Sequence, residues 1–282
     1  MKDLSARGAL AAGVFTLLLV GSGCIVGADV GSYVERDEKH FTVSGDADVT
    51  VGTFDGAIEV RPWDKPEVAV VIEKRGRDAA DIEEIDVRSE QSDTHIVVEA
   101  KRRKGATGRM IFGWNRQSAK LIVSLPASAS LKATSGDGSI DVERLTGHVD
   151  LSSGDGRIRA RDVTGDVSVR TGDGSITLGG RLSTVHARTG DGRVTIHVDE
   201  GSTPAADWDV TTGDGSVTFE LPDSFDAELD AHTGDGRVRV NGVTVSNVSG
   251  EMGKNSLRGR LGAGGKLVRV RTGDGSITLK KF

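Results

Sequence analysis

A Gly-Asp-Gly tripeptide occurs seven times between residues 136 and 275 of this 282-residue chain, and this repeat constrains the fold more than any other feature. The first four copies lie 18 residues apart, and the later gaps are 23, 21 and 39 residues. A fixed period of this length indicates a solenoid, in which each motif turns a corner that rests on the corner below. The motifs are centred on Asp137, Asp155, Asp173, Asp191, Asp214, Asp235 and Asp274.

Alternating apolar residues lie on both sides of each tripeptide. In the copy around Asp173, Val167 and Val169 precede the motif, and Ile176 and Leu178 follow it. Because side chains of a β-strand alternate between its faces, these four residues point inward and the residues between them point outward. One coil cannot bury its own apolar face, but a stack of coils can. The stack is expected to bury a column made of Ile140, Ile158, Ile176, Val194, Val217, Val238 and Ile277.

An antiparallel meander or barrel whose hairpins share one turn is the alternative architecture. A barrel needs no identical turn at a fixed period, whereas a solenoid does. We therefore predict an all-β protein, with a parallel β-solenoid of about 18-residue coils and Gly-Asp-Gly corners over residues 131–282. Insertions at residues 197–207 and 221–226 are expected in two of the longer gaps. The 39-residue gap is expected to hold two coils, the first without its motif.

The chain before residue 131 has β-strand patterns without the repeat. Residues 41–130 are predicted to form an N-terminal β region that caps the first coil, and residues 24–40 a flexible tether. One short helical turn is expected at residues 79–85. The β-branched runs predict strands at residues 49–51, 58–60, 68–72, 96–98 and 121–125.

The N-terminus is typical of a bacterial secretion signal. It has a charged start at Lys2 and Arg7, an apolar run at residues 9–20 and small residues at 21–23. The single cysteine, Cys24, follows directly. This resembles a lipoprotein signal over residues 1–23, in which Cys24 becomes the lipid attachment site. An incidental cysteine inside an ordinary cleavable signal is the alternative. Lipoproteins that stay at the inner membrane usually have Asp directly after the lipidated cysteine. Ile25 occupies that position here and favours the outer membrane.

Composition narrows the function classes. The 39 glycines and the low aromatic content of 4% suit a fold that repeats one tight turn, and they argue against a large globular core. The formal net charge of -6 argues against general nucleic-acid binding. No nucleophile elbow, zinc motif or phosphate loop occurs in the sequence, so we expect no catalytic residues, no metal ligands and no cofactor.

Several segments outside and inside the repeat are distinctive. They are Phe54-Asp55-Gly56-Ala57-Ile58-Glu59-Val60, the Leu125-Pro126 strand exit, the Thr-Gly-Asp-Gly corners, and the stretch from Gly259 to Gly265. These segments resemble the DUF4097 family of candidate adhesins, which are bacterial envelope proteins with repeated β-strands. The resemblance covers residues 41–282 and implies a right-handed β-solenoid. The family carries no accepted catalytic residues, so none can be transferred to this chain.

The stacked aspartates have a structural and a functional interpretation. Successive carboxylates about 4.8 Å apart repel one another by roughly 0.9 kcal/mol even in water. In the structural interpretation, each aspartate accepts a turn hydrogen bond and the flanking glycines supply left-handed backbone angles. In the functional interpretation, the column binds calcium, which needs six to eight oxygen ligands.

The residue after each tripeptide alternates between serine and arginine along the chain. An arginine is therefore expected beside every second layer of carboxylates, where it reduces their repulsion without stacking on another arginine. The alternating residues are Ser139, Arg157, Ser175, Arg193, Ser216, Arg237 and Ser276.

A basic segment between residues 101 and 120 lies outside the repeat and contains no acid. It is either a solvated hairpin or a contact surface for an anionic partner such as lipid head groups or acidic glycan. The candidate contact residues are Lys101, Arg102, Arg103, Lys104, Arg109 and Trp114.

The sequence therefore favours a non-enzymatic cell-envelope lipoprotein with an adhesin-like binding or scaffold surface. Its expected partners are the membrane, through the lipid anchor, and envelope glycan, anionic lipid or another envelope protein. An envelope-stress sensor or regulator is one alternative. A calcium-binding or polysaccharide-active solenoid is the other.

Overall fold

The computed structural model describes residues 25–29, 32–103, 117–249 and 254–282. These residues form 22 β-strands and one short helix, α1 (Ala79–Glu83), as the sequence predicts for an all-β chain with one helical turn. The strands are β1 (Ile25–Asp29), β2 (Ser32–Thr42), β3 (Ala47–Thr53), β4 (Ile58–Trp63), β5 (Glu67–Gly76), β6 (Ile85–Ser92), β7 (His95–Arg102), β8 (Ser118–Pro126), β9 (Ala129–Ser135), β10 (Ile140–Glu143), β11 (Thr146–Ser153), β12 (Ile158–Arg170), β13 (Ile176–Thr189), β14 (Val194–Val198), β15 (Trp208–Thr212), β16 (Val217–Leu221), β17 (Ala227–Thr233), β18 (Val238–Asn241), β19 (Val245–Ser249), β20 (Ser256–Leu261), β21 (Leu267–Thr272) and β22 (Ile277–Lys281).

The strands hydrogen-bond into one continuous sheet that folds into two facing layers. The first layer runs in the order β6, β7, β3, β9, β11, β12, β13, β15, β21, β17, β20 and β19. The second layer runs β1, β2, β5, β8, β4, β10, β12, β13, β14, β16, β22 and β18. The long strands β12 and β13 contribute to both layers, which makes the sheet continuous.

Parallel pairing in the middle of the stack joins residues that lie 18 positions apart in sequence. Val149 is opposite Val167, and Ile140 is opposite Ile158. The inward residues at these positions are fully buried between the two layers. Each layer is therefore a set of coils in register, and the core is the aliphatic column that the alternation predicts.

The second glycine of each tripeptide is required by a close approach between neighbouring backbones. A Cβ atom on any of these seven glycines would lie 1.9 to 2.1 Å from the carbonyl oxygen of a glycine in the adjacent coil. The left-handed backbone angles expected at the motif occur elsewhere: Gly147, Gly165 and Gly180, at the opposite corner, have φ of 138°, 123° and 141°. Glycine is thus required in the motif because a side chain would not fit against the adjacent coil. The glycines with left-handed backbone angles lie at the opposite corner.

The N-terminal segment differs from the expected flexible tether over residues 24–40. Strand β2 pairs antiparallel with β5 from Tyr33 opposite Gly76 to Thr42 opposite Glu67, and β1 pairs with β2. The apolar residues that support this pairing are sparse, so the sequence pattern does not reveal the strand. Residues 1–24, including Cys24, lie outside the described residues.

The parallel stack already includes strands that precede residue 131. Strand β3 pairs in parallel with β9, and β4 pairs in parallel with β10. The Phe54-Asp55-Gly56 segment between β3 and β4 occupies the position of a Gly-Asp-Gly corner: Gly136 lies against the Phe54 carbonyl and Gly138 against that of Gly56. This segment is therefore an eighth corner with a divergent sequence.

The coils do not stack in the order of the sequence. The predicted column places Val238 next to Val217, whereas Val217 pairs with Ile277, and Ile277 pairs with Val238. The C-terminal coil, β21 and β22, thus lies between the coil of β15 and β16 and the coil of β17 and β18. Charge supplies a reason, because Arg269 is opposite Asp209 on one side and Asp230 on the other. Direct stacking in sequence order would place these two carboxylates about 4.8 Å apart.

The 39-residue gap holds no additional coil in its described part. Strand β20 pairs antiparallel with β17, and β19 pairs antiparallel with β20. The expectation of two parallel coils is therefore wrong, since a hairpin covers the end of the first layer.

Among the described residues, no helix is long and apolar enough to cross a membrane.

Substitution of Gly174 by alanine tests the close approach at the corner. The new methyl group would lie 2.1 Å from the Gly156 carbonyl oxygen, so the backbones must separate. We expect the free energy of unfolding in urea to fall by about 1–3 kcal/mol. Gly179→Ala is the matched control, because its nearest neighbour would be the His197 Cβ atom at 3.7 Å. Equal effects of the two substitutions would contradict this account of the motif.

Substitution of Arg269 by glutamate tests whether charge sets the position of the C-terminal coil. Three carboxylates would then lie in one row, and we expect the unfolding free energy to fall by about 1–3 kcal/mol at low salt. The loss should shrink as salt screens the repulsion. Arg188→Glu is the control, since Arg188 lies between Arg170 and Thr211. A loss for Arg269→Glu no larger than the control's would refute the role of charge.

Candidate functional site

The Gly-Asp-Gly corners form one straight edge of the stack, which we call the corner edge. At this edge each strand of the first layer ends and the chain turns into the second layer. Glycine amides donate to glycine carbonyls of the adjacent coil along the edge: Gly190 donates to Gly172, Gly213 to Gly190, and Gly273 to Gly213. The last step again shows that the C-terminal coil follows the coil containing Gly213.

A buried hydroxyl group ties each corner to its neighbour. The Ser153 hydroxyl donates to the Gly138 carbonyl at 2.9 Å and accepts the Gly156 amide at 3.0 Å. All seven residues that precede the tripeptides are buried and donate a hydroxyl hydrogen bond to a glycine carbonyl in the adjacent coil. They are Ser135, Ser153, Thr171, Thr189, Thr212, Thr233 and Thr272.

The motif aspartates do not hold the turns, contrary to the structural interpretation of the sequence. In the part of the chain that the structure describes, none of their seven carboxylates accepts a hydrogen bond or forms an ion pair. At five of the seven corners the preceding serine or threonine hydroxyl already accepts the amide of the second glycine, so the carboxylate is not needed there. All seven side chains are exposed: Asp137, Asp155, Asp173, Asp191, Asp214, Asp235 and Asp274.

Asp55 begins the same column of carboxylates, and its environment differs from the others. Burial raises its pKa, the charge of Asp137 raises it further, and the charge of Arg102 lowers it. The Coulomb contribution from Asp137 shows that neighbouring corners interact electrostatically. Sequence reasoning placed a turn at Asp55 but did not include it in the column, because a phenylalanine replaces the first glycine of its motif.

The calcium hypothesis requires oxygen ligands that converge on one point. Within the described ranges, no group of three or more histidine, cysteine, aspartate or glutamate side chains is close enough to hold a metal ion. The column instead spreads its carboxylates along a line, one for each coil. Calcium binding at this edge stays a prediction from the sequence.

The serine and arginine residues after the motifs form a second row, parallel to the carboxylates. Each backbone carbonyl in this row accepts an amide from the adjacent coil. The strict alternation of the sequence is broken in space, because the inserted C-terminal coil places Ser276 directly beside Ser216. The row therefore runs Ser139, Arg157, Ser175, Arg193, Ser216, Ser276 and Arg237.

An open groove of about 690 Å³ lies on this row and on the adjacent face of the second layer. We call it the arginine groove. Arg157, Arg159 and Arg193 line it, together with Asp191 and Asp214 from the carboxylate column. The groove exists because small hydroxyl residues alternate with long arginine side chains. The alternation of serine and arginine can be read from the sequence. The groove that it produces can be recognised only when the stacked coils are seen.

The basic segment is only partly within the described residues. Lys101 pairs with Glu99, and the Arg102 guanidinium lies 5.0 Å from the centre of the Phe54 ring. Arg103 is exposed, and its amide donates to the Glu84 carbonyl at 2.8 Å. An acidic residue of the same strand, β7, and an aromatic residue of the corner after β3 thus engage the first two residues. Lys104, Arg109 and Trp114 lie outside the described residues.

The inserted coil brings together charged residues that sequence reasoning missed. Lys280 lies 2.7 Å from Glu220, and His197 lies 2.9 Å from the same carboxylate. The hydrogen bonds from Lys280 and then His197 lower the pKa of Glu220. Burial raises the pKa of Asp230, but hydrogen bonds and charges of Arg271 and Arg258 outweigh it and lower the pKa. The pairs made by Lys280 and Arg271 could be found from sequence only if the order of the coils were known.

A family model described as Toastrack DUF4097 matches this chain over residues 47–197 and 164–280. The match begins at the first residue of β3 and extends into β22, so it covers the whole parallel stack. The chain belongs to the DUF4097 family. This confirms the family that the sequence motifs indicate, and with it an all-β, solenoid-like architecture for this DUF4097 chain.

Solved structures with similarity to this DUF4097 chain have low identity and low TM-scores. A candidate cell adhesion protein from Clostridium sporogenes is 16% identical, covering 88% of this chain and 100% of its own, with a TM-score of 0.42. A candidate adhesin from Bacteroides fragilis is 11% identical, covering 88% and 97%, with a TM-score of 0.34. A candidate adhesin from Parabacteroides merdae is 11% identical, covering 86% and 95%, with a TM-score of 0.40. No curated protein matches this chain.

Replacement of Asp55 by asparagine tests the electrostatic cost of the carboxylate column. A raised pKa means that ionisation destabilises the folded state, so the cost is present above the folded pKa and absent below the unfolded pKa. We expect Asp55→Asn to increase the unfolding free energy at pH 7 by at most about 1 kcal/mol, because the site is partly solvated. At a pH below the ordinary aspartate value of about 3.9, the gain should disappear. A destabilised variant at pH 7 would contradict this expectation.

Proposed function

We propose that this DUF4097 protein is a non-enzymatic component of the bacterial cell envelope that presents a rigid, repetitive binding surface. The observation that carries the proposal is the register of the stack. Outward positions of successive coils lie directly above one another, as with Thr177, Thr195, Thr218 and Thr278. A surface built of straight polar columns suits recognition of an extended, repetitive partner.

Two grooves of the described chain favour surface binding over catalysis. The arginine groove and a groove beside Arg103 are open and are lined mainly by charged and hydroxyl side chains. An enzyme that acts on a small substrate usually encloses it in a concave, largely apolar site. The open grooves leave a bound chain exposed along its length, which suits a scaffold or an adhesin-like contact.

Attachment to the membrane is part of the proposal. Residues 1–23 have the organisation of a secretion signal, and Cys24 follows as the only thiol in the chain. Lipidation at Cys24 would place the stack at an envelope surface, and Ile25 favours the outer membrane. The strands β1 and β2 begin directly after this position, so the anchor and the stack would be separated by few residues.

The handedness of the solenoid, the length of its coils and its binding partners belong to the same proposal. We propose a right-handed solenoid with about 18-residue coils and Gly-Asp-Gly corners, as the family resemblance and the period indicate. Envelope glycan, anionic lipid or another envelope protein are the proposed partners. The exposed Arg103, which begins the basic sequence after β7, is a proposed contact residue for an anionic partner.

Co-sedimentation with isolated envelopes of the host cell tests this function. The wild-type protein is expected in the membrane fraction and resists extraction with salt. Cys24→Ser removes the lipid attachment atom, so this variant should become soluble. Added back to washed envelopes, it should still bind through the stack, and binding should saturate.

Failure of the soluble variant to bind envelopes at any concentration would contradict a binding surface. Retention of Cys24→Ser in the membrane fraction after salt extraction would contradict the lipid anchor. A soluble protein of similar size and net charge is the control for non-specific sedimentation.

A further inference from the structure

The arginine groove contains charged side chains that the fold does not use. In the part of the chain that the structure describes, Arg157 and Arg193 form no ion pair or hydrogen bond through their side chains, and both are exposed. Arg159 differs, because it lies 3.1 Å from Asp141. Two guanidinium groups therefore stand at one edge of a concave surface with their donors unoccupied.

The spacing of these groups follows from the stack. Arg157 and Arg193 are separated by one intervening coil, so their backbones are about 10 Å apart. Arg237 continues the same row beyond Ser216 and Ser276, three coils from Arg193, which is about 14 Å. A ligand that meets all three must be extended along the stack axis and carry negative charges at wide intervals.

The floor and the rim of the groove add a second kind of chemistry. Ser175, Thr177, Thr195 and Ser216 line the floor with hydroxyl groups, which both donate and accept hydrogen bonds. The carboxylates of the corner edge at the rim accept hydrogen bonds only. Carboxylates without internal partners are suited to bind the hydroxyl hydrogens of a ligand.

This combination discriminates between extended anions. A nucleic-acid strand carries one phosphate for about every 3.4 Å, which is denser than the arginine row and would meet the carboxylates of Asp191 and Asp214. An anionic lipid surface would bring its head groups against the carboxylates of Asp191 and Asp214. The large exposed hydrophobic residues of the described chain, Val248 and Phe282, do not line the groove and so offer no apolar contact with lipid there. A polymer of hydroxyl groups with separated carboxylates satisfies both the arginines and the acids.

We propose that the arginine groove binds an acidic polysaccharide, with uronic-acid carboxylates on Arg157 and Arg193 and sugar hydroxyls on Asp191, Asp214 and the floor. Guanidinium groups bind carboxylates through two parallel hydrogen bonds, which fixes the position of the sugar chain on the stack. The inference rests on the proposed binding function and names its ligand class. It also gives a role to the Ser/Arg alternation: serine opens the groove and arginine supplies the charge.

Calorimetric titration with a hyaluronan oligosaccharide tests the site, because its uronic acids alternate with uncharged sugars and its carboxylates are therefore widely separated. We expect the Cys24→Ser protein to bind it, and its fully methyl-esterified form to bind at least about tenfold more weakly, because esterification removes the carboxylate charge. Arg157→Ser combined with Arg193→Ser should weaken binding of the acidic oligomer by about tenfold or more.

The matched control is Arg170→Ser combined with Arg188→Ser. These exposed arginines are in register on the first layer, so the control removes the same charge from the other face. Its affinity should stay within about twofold of the parent. Thermal unfolding of all variants checks that the stack remains folded.

Several outcomes would overturn the site. They are no binding of the hyaluronan oligosaccharide by the parent, equal binding of the esterified oligomer, or equal losses in the two double variants, which would indicate general charge attraction. Envelope binding by a parent protein that ignores the acidic oligomer would leave the proposed function standing without this site. Loss of envelope binding together with oligomer binding would remove both.

Discussion

The close contact between backbones at the corner edge is the constraint on which the rest of the structure depends. Each coil must bring its turn within hydrogen-bond distance of the next, and a Cβ atom at the second motif glycine would overlap a carbonyl oxygen of the adjacent coil. The buried serine or threonine before the motif then joins the two turns through its hydroxyl group. This fixes the register of every strand that follows, and the register aligns the inward residues into a continuous core.

Because the corner is closed by backbone and hydroxyl groups, the aspartate between the glycines is not needed for the turn. It projects into solvent and repeats at every coil. Asp55, at the start of the column, has a raised pKa, first because it is partly buried and then because of the charge of Asp137. The seven motif carboxylates have no partner within the described residues, so they are available to bind a ligand. The same reasoning applies to Arg157 and Arg193, which have no partner in the described part of the chain.

Charge also organises the stack at its C-terminal end. The last coil of the sequence lies inside the stack, with Arg269 between Asp209 and Asp230 and with Lys280 on Glu220. The insertion brings Ser276 next to Ser216 and so widens the interval between Arg193 and Arg237. The order of the coils therefore determines the spacing of charges on the surface where we place the glycan.

The sequence alone determined the family, the strand class, the inward column and the presence of repeated corners, because period-two alternation and an 18-residue motif spacing are local properties of the chain. It also marked the candidate residues at the corners.

The tertiary structure decided which group closes the turn, because Ser153 and Asp155 are both able to accept an amide hydrogen bond and only their position against the next coil separates them. It decided that Asp55 belongs to the column and that β2 is a strand. Above all it decided the order of the coils, since all of them share one motif, and the choice of neighbour depends on charges such as those of Arg271 and Asp230 that meet only when distant segments pack.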